Sequence, residues 1–519
     1  MEEYPKNRLR RGLIRLSSFW ILVAFLAFLI ASCGYASRES LTKMPSPTVI
    51  LHKKTSPSTS SPNSTVQSTN SHILSGDWPN FLLGRNGYNS EETAITSATA
   101  PSLSRYWTAR AGGGISSEPV VVDGTIYWGS WDGYEHATSI DGQALWSTYL
   151  GKVSNPQCYP PTVGVASTAT ILPVTIKGVQ TLVDFVGGGN AHMYALNAKT
   201  GKILWATSLG SAPGTFIWDS PLVYQDDLYI GTASVGECPG TAGHFFKLDA
   251  TTGAIEHDLE LAPEGCLGVG IWSSPTLDSN AGELYITTSN GSSCDETEQY
   301  AMSMIELHAD TLSIVGSWQV PDSEAVDDGD FGATPTLFSA NLEGVSREMV
   351  GAVNKNGVFY AFRRGEINAG PVWRAQISAS PVAGCHRCPS GDEAAAAWDG
   401  SQLYVGSTST TIDGKFCYGS LRALDPATGA FLWQHCLSSA FRVMAPPIVV
   451  PGLVVASAGP SFFVLDATQG TTLFTYQDTG KDSTFDGAAT IAHGVLYIGN
   501  LDGNLFAFKL ASRGNNRAN

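Results

Sequence analysis

The feature that most constrains this chain is a pattern that returns about every 40 to 60 residues. One half of the unit is an alternating strand pair around a turn: EPVVVDGTIYWGS (118–130), SPLVYQDDLYIGT (220–232), SPTLDSNAGELYITT (274–288), AAAWDGSQLYVGS (395–407) and ATIAHGVLYIGN (489–500). β-Branched and aromatic residues recur there at period two around Gly, Asp or Asn. The other half is a strand, a turn and a strand: YALNAKTGKILW (194–205), KLDATTGAI (247–255), RALDPATGAFLW (422–433) and VLDATQGTTLF (464–474). In these the Asp or Asn can accept hydrogen bonds from turn amides, and the Gly takes the positive φ that the turn demands.

Degenerate units begin near ILPVTIKG (171–178), ATPTLF (333–338) and APPIVVPGLVVAS (445–457). Unit starts then fall near residues 118, 172, 220, 274, 334, 395, 446 and 488. Four short strands per unit at this period predict an all-β fold, an eight-bladed β-propeller of four-stranded blades. The last unit, ending in LFAFKL (505–510), lacks a fourth strand of its own. YWTAR (106–110) can supply it, closing the ring and removing two exposed sheet edges. Trp146, Trp205 and Trp433, which follow turns of this kind, are expected to pack between blades; Trp318 and Trp373 hold similar late positions in less regular units.

The first 33 residues hold five basic and two acidic side chains, so of the formal charge of −16 the remainder carries −19. So acidic a body lacks the phosphate attraction that dominates nucleic-acid binding. Basic residues up to Arg15 precede the apolar run FWILVAFLAFLIA (19–31), too short for a membrane-spanning helix of about 20 residues. It ends in Ile30-Ala31-Ser32-Cys33, which resembles the lipobox of bacterial lipoproteins. That resemblance implies a signal peptide over 1–33, lipidation of Cys33 and an exported protein anchored to the cell membrane; a plain cleaved signal or an uncleaved anchor is the alternative. Residues 34–75, rich in Ser, Thr and Pro, are expected to be a disordered tether, residues 76–511 the propeller and residues 512–519 a disordered tail. Eight further cysteines, an even number, favour disulfides in an exported chain without fixing their pairing. Cys385-His-Arg-Cys388 lacks partner ligands at zinc spacing, and Pro389 stands where c-type haem attachment needs His, so a disulfide is expected there too.

LDATTG, LDPATG and ALNAKTG…W resemble the tryptophan-docking repeats of the pyrroloquinoline-quinone (PQQ) propellers, and DWPNFLLGRNGYNSEETAI (77–95) resembles their N-terminal portion, polyvinyl-alcohol dehydrogenases included. The resemblance covers residues 77 to about 511 and implies a quinoprotein alcohol dehydrogenase-like fold with PQQ and Ca2+ in a central funnel. It implies Trp272 as the floor beneath the quinone, and Glu237 and Asn290 as calcium ligands; the TTSN containing Asn290 has lost both glycines of the family's GTGN. VDDGDFGATPTLF (326–338) resembles the family's D-x-W-D-Y-D segment. Asp328 is thereby matched to the catalytic base and a third calcium ligand, and Asp330 to the following acid, although Val326 stands near the usual Trp. Lys355 in AVNKNGVFYAF, 27 residues after Asp328, matches the cation that reaches the quinone oxygens. Asp322 and Glu324 read as solvent-facing, and Trp218 as blade packing.

These matches imply a PQQ- and calcium-dependent alcohol dehydrogenase acting on a small or polymeric alcohol. With no CxxCH site its electron acceptor is external, and there is no vicinal Cys-Cys pair. The rival reading is a noncatalytic propeller that serves as a protein-interaction or polymer-binding scaffold.

Overall fold

A computed structural model of the protein describes residues 73–236, 238–291, 299–379 and 392–511. The leader with Cys33, most of the tether, the C-terminal tail, Glu237, Cys294, Cys385 and Cys388 lie outside the described residues.

Eight four-stranded antiparallel sheets follow one another along the chain. Their innermost strands are Val120–Val122, Thr170–Ile176, Leu222–Tyr224, Thr276–Asp278, Thr336–Leu342, Ala397–Trp398, Ile448–Val450 and Thr490–Ala492. They define blades 1 to 8, and each begins within two residues of the expected unit start. In blade 8 the fourth strand is Leu103–Arg110, which pairs antiparallel with Asn504–Leu510 and closes the ring as expected. Two small hairpins, Val153–Ser154 with Thr162–Val163 and Thr410–Ile412 with Lys415–Cys417, stand outside the blades.

Tryptophan joins blade to blade. The indole N–H of Trp107, Trp146, Trp205, Trp373 and Trp433 donates at 2.9–3.0 Å to Ile140, Ala198, Ala250, Pro426 and Ala467, each a carbonyl in the third-to-fourth-strand turn of the next blade. The ring lies on that turn's glycine. A Cβ built at Gly201, Gly253, Gly429 or Gly470 would come 2.4–2.6 Å from the indole of Trp146, Trp205, Trp373 or Trp433, and all four glycines have φ between +68° and +74°. Glycine is thus required twice over, by backbone conformation and by contact. Trp373 behaves as the regular units do. Trp318 does not: its ring packs on Tyr360 and Phe362 of blade 5 instead.

A second set of links runs close to the axis. The backbone N–H of Glu118, Thr168, Ser220 and Ser274 donates to the hydroxyl of Thr168, Ser220, Ser274 and Thr334 in turn, at 2.8–3.0 Å. Blades 1 to 5 are thereby tied in sequence by one short side chain each. Ala395 takes the corresponding place in blade 6 and offers no hydroxyl.

Residues 77–89 thread across one end of this ring. Trp78 exchanges backbone hydrogen bonds with Val121 of blade 1, and Pro79 accepts from Ile171 of blade 2. The buried Arg85 guanidinium donates to the carbonyls of Ser220, Pro221 and Pro275, in blades 3 and 4. Asn86 accepts from Trp398 of blade 6, Gly87 and Asn89 pair with Val449 of blade 7, and Asn89 reaches Ile491 of blade 8. The segment therefore holds seven blades at once.

Disulfides join Cys158 to Cys238 and Cys417 to Cys436, and Cys266 is also disulfide-bonded. The expectation of disulfides holds for these five.

Gly253→Ala places a methyl group against the Trp205 indole at a left-handed backbone position. It is expected to destabilise the protein by roughly 1–3 kcal/mol, read as a lowered thermal midpoint, whereas Ala substitution at the open Gly282 turn is expected to cost less.

Candidate functional site

In an up-and-down blade, the loops joining the second to the third strand and those leading to the next blade open at the same end. Trp272, Asp328, Asp330 and Glu393 lie on loops leading into blades 4, 5 and 6, while Asn290 and Lys355 lie on second-to-third-strand loops of blades 4 and 5. All six thus reach one end of the ring.

Trp272 lies across the joint between two blades. The position that Trp272 occupies in blade 4 is held by Gly332 in blade 5 and Glu393 in blade 6. A Cβ on Gly332 would come 2.1 Å from Cη2 of Trp272 and 2.9 Å from Cβ of Glu393. The absence of a side chain at 332 is what allows the indole to extend under blade 5. Trp218, the matching residue of blade 3, packs on Phe216 with its N–H on the Ser234 carbonyl, as expected for blade packing.

Lys355 is the electrostatic centre. Its Nζ donates to Asp328 Oδ1 at 3.0 Å and to Asp330 Oδ2 at 2.9 Å, and it stands 5.2 Å from the centre of the Trp272 ring. Asp330 is the more buried acid. Its other oxygen accepts the backbone N–H of Asn290 at 2.8 Å, and its carbonyl accepts that of Lys355 at 3.0 Å. Asp330 therefore binds three loops together, and the Asn354 side chain donates to the Gly329 carbonyl at 2.6 Å, fixing the turn between the two acids. Ser289, which replaces a glycine of the family's turn, accepts the N–H of Gly270 at 2.7 Å and so ties its loop to the strand of residues before Trp272.

Burial pushes the Asp328 carboxyl up to about 6, the neighbouring Asp330 adds to the rise, and Lys355 opposes it. Burial alone would lower Lys355, but Asp330, Glu393 and Asp328 outweigh it and hold the ammonium well above the usual lysine range. Asp328 is thus a carboxylate at neutral pH that can still take up a proton close to neutrality.

Four of the expected residues, Trp272, Asn290, Asp328 and Lys355, are brought together; Glu237 lies outside the described residues. Glu324 corrects the solvent-facing expectation: it accepts the Tyr360 hydroxyl at 2.8 Å, pairs with Arg374 and holds the Asn356 amide through its carbonyl, anchoring the acidic loop to blade 5. Asp322 is exposed as expected. Glu393 was missed, because AAAAWDG carries no catalytic signature; aligning the repeats would have set it level with Trp272. The central role of Asp330 was also unforeseen.

The indole of Trp272 is only partly buried, and an indole face suits a planar ring. A site with three acids around one lysine suits a cation. The described hydrogen bonds leave Asp328 Oδ2 and Asn290 Oδ1 open, since the Asn290 amide nitrogen is the atom that donates to Gly291. Among the described residues no group of three or more His, Cys, Asp or Glu is placed to hold a metal by itself.

Eight blades closed by an N-terminal strand, docked by tryptophan and topped by an indole, a lysine and paired acids, define a quinoprotein-like propeller. The family model described as outer membrane protein assembly factor BamB, a PQQ-repeat model, matches residues 141–295 and 339–518. The chain belongs to this PQQ-repeat family, in its eight-bladed, alcohol dehydrogenase-like form. It is 27% identical over 291 residues to quinohemoprotein alcohol dehydrogenase ADH IIB of Pseudomonas putida, a match spanning 48% of this chain and 40% of that protein. It is 23% identical over 486 residues to a polyvinylalcohol dehydrogenase of Sphingopyxis sp. (strain 113P3), spanning 80% of this chain and 70% of the relative. Among solved structures, the quinohemoprotein alcohol dehydrogenase of Comamonas testosteroni superposes with a TM-score of 0.65 at 17% identity, covering 83% of this chain and 80% of that one. BamB of Moraxella catarrhalis superposes with a TM-score of 0.51 at 14% identity, covering 79% and 98%. At these identities the structural likeness is one of fold.

A carboxyl-selective NMR titration of the protein without added metal should give Asp328 a midpoint of about 6. Asp330→Asn should lower that midpoint by removing a like charge, and Lys355→Met should raise it. Lys355→Met should also destabilise the protein by roughly 3–5 kcal/mol, since two largely buried carboxylates lose their counter-charge.

Proposed function

We propose that this protein is a PQQ- and Ca2+-dependent alcohol dehydrogenase, exported and held at the cell membrane through lipidated Cys33, that passes electrons to an external acceptor. The observation carrying this reading is the meeting of Trp272, Asn290, Asp328 and Lys355, drawn from four separate loops of blades 4 and 5, at one end of the ring. The relatives named as alcohol and polyvinylalcohol dehydrogenases support the reaction class.

When bound, PQQ supplies the hydride acceptor and Ca2+ a Lewis acid, which is the difficult part of the chemistry. The chain supplies position and charge. Trp272 offers the stacking surface, and Gly332 keeps that surface clear of a neighbouring side chain. Asn290 Oδ1, Asp328 Oδ2 and Glu237 are the oxygens that would hold the cation, with further ligands from the cofactor. Asp328 takes the hydroxyl proton of the alcohol, and Lys355 together with the bound cation would keep it ionised to do so. Lys355 steadies negative charge opposite the indole, and its pairing with Asp330 holds it there after Asp328 is protonated.

The substrate is a primary, secondary or polymeric alcohol. A second reading, a noncatalytic scaffold for protein or polymer binding, draws on the description of the matching family model and on carboxylates that Lys355 already neutralises in part. It requires neither quinone nor dye reduction.

Reconstitution with PQQ and Ca2+, followed by dye reduction over a panel of alcohols, separates the two. Asp328→Asn is expected to keep the cofactor and lose about 10²–10⁴ in kcat. Full activity in that variant removes Asp328 as the base, and an inert reconstituted wild type favours the scaffold.

A further inference from the structure

Blades 1 and 2 meet across a core in which two acids stand where the other blades place hydrocarbon. Glu135 pairs across strands with Gly129. Residues paired in the same way with Gly187, Gly231, Thr287, Gly406 and Gly499 are Met193, Phe245, Met304, Leu421 and Leu505. Asp184 stands three residues before Gly187, and the residues three before the other second-strand glycines of blades 1, 3, 6 and 8 are Ile126, Leu228, Leu403 and Leu496. Both acids are fully buried, and none of their four carboxyl oxygens has a hydrogen-bond partner in the protein.

The two side chains face each other. Cross-strand partners point to the same side of a sheet, and a Cβ on Gly129 would press on Val165, in the segment that leads into blade 2, so Glu135 faces blade 2. In blade 2, Val183, Phe185 and Met193 belong to the cluster shared with blade 3, whereas Ile171, Val186 and Leu196 pack in one cluster with Tyr127 and Ala137 of blade 1. Asp184 alternates with Val183 and Phe185 and pairs with Ile171 and Leu196, so it faces blade 1. His136, stacked on Trp128, is on the opposite side of its strand from Glu135. The Tyr127 phenol, whose ionisation is hindered by burial and then by Asp184, is the further titratable group toward the pair.

Two bare carboxylates cannot share a dry interface, and no third acid, His or Cys joins them to make a metal cage among the described residues. We infer that Glu135 and Asp184 are a proton-binding site that keeps the joint of blades 1 and 2 closed while a proton is held and loosens it, through two facing buried charges, when that proton leaves. Burial pushes Asp184 up to about 8, and Glu135 rises through burial and then the Asp184 charge. A carboxyl whose affinity for protons is higher folded than unfolded stabilises the fold fully below about pH 4, and that contribution is lost as pH rises through about 8. The pair is separate from the indole–lysine site and stands whether or not the protein binds a quinone.

The test compares the full-length wild type with the double variant Glu135→Met, Asp184→Leu, which installs the residue types of the neighbouring blades. Between pH 5 and 8 the unfolding constant of the wild type should rise by up to about tenfold per pH unit more than that of the double variant. An infrared difference spectrum at pH 7, wild type minus Asp184→Asn, should contain a protonated carboxyl band. This second measurement needs only the near-isosteric single variant to fold. Equal pH dependence in both proteins, or no carboxyl band in the difference, overturns the inference. So does recovery of the alkaline loss by millimolar Ca2+ or K+ in the wild type but not in the double variant, which would make the pair a cation site.

Discussion

The structure depends on one contact repeated around the ring, a tryptophan laid on the turn glycine of the following blade with its N–H on a carbonyl of the same turn. A four-stranded sheet has two apolar faces and cannot hide either one alone. Each indole buries a large apolar surface and satisfies its polar handle at the same time, so it fixes both the distance and the rotation between neighbours. At the joint of blades 3 and 4, where no indole stands, the Tyr229 hydroxyl donates to the Ala309 carbonyl. The hydroxyl links near the axis and the segment of residues 77–89 then hold the inner ends, so that loops far apart in sequence arrive at one place with little freedom.

The candidate site follows from that rigidity. Asp330 is the residue through which blade architecture becomes site geometry: one oxygen on the Asn290 amide, the other on Lys355, its carbonyl on the Lys355 backbone. The acidic run of residues 322–330 is accordingly divided by function. Asp322 is left in water, Glu324 secures the loop, Asp330 ties three loops together and Asp328, less buried, is bonded to Lys355 by one oxygen.

How much was legible in the sequence follows the same division. Blade number, strand order and ring closure were readable because each unit repeats the same turn chemistry, and the inner strands start within two residues of their expected places. Trp272, Asn290, Asp328 and Lys355 came from the resemblance to the PQQ propellers rather than from the repeat itself, and the structure brings the four together. The role of Asp330 over its neighbours was not readable, since it depends on which carboxylate the lysine reaches once the loop has turned at Gly329. Trp318 looked like a docking residue by position, yet the 3-10 turn at Ile367–Ala369 gives its blade joint a different packing. Glu135 and Asp184 escape any motif, because their meaning lies in what the other blades have at those places.

The central claim is that blades 4 and 5 hold a flat redox ring against Trp272. Calorimetric titration of PQQ into the purified protein with Ca2+ present tests it most directly. One saturable site per chain, weakened at least tenfold by Trp272→Ala and left intact by Trp218→Ala, is the predicted result. No heat of binding in the wild type, or equal affinity in the Trp272→Ala variant, contradicts it.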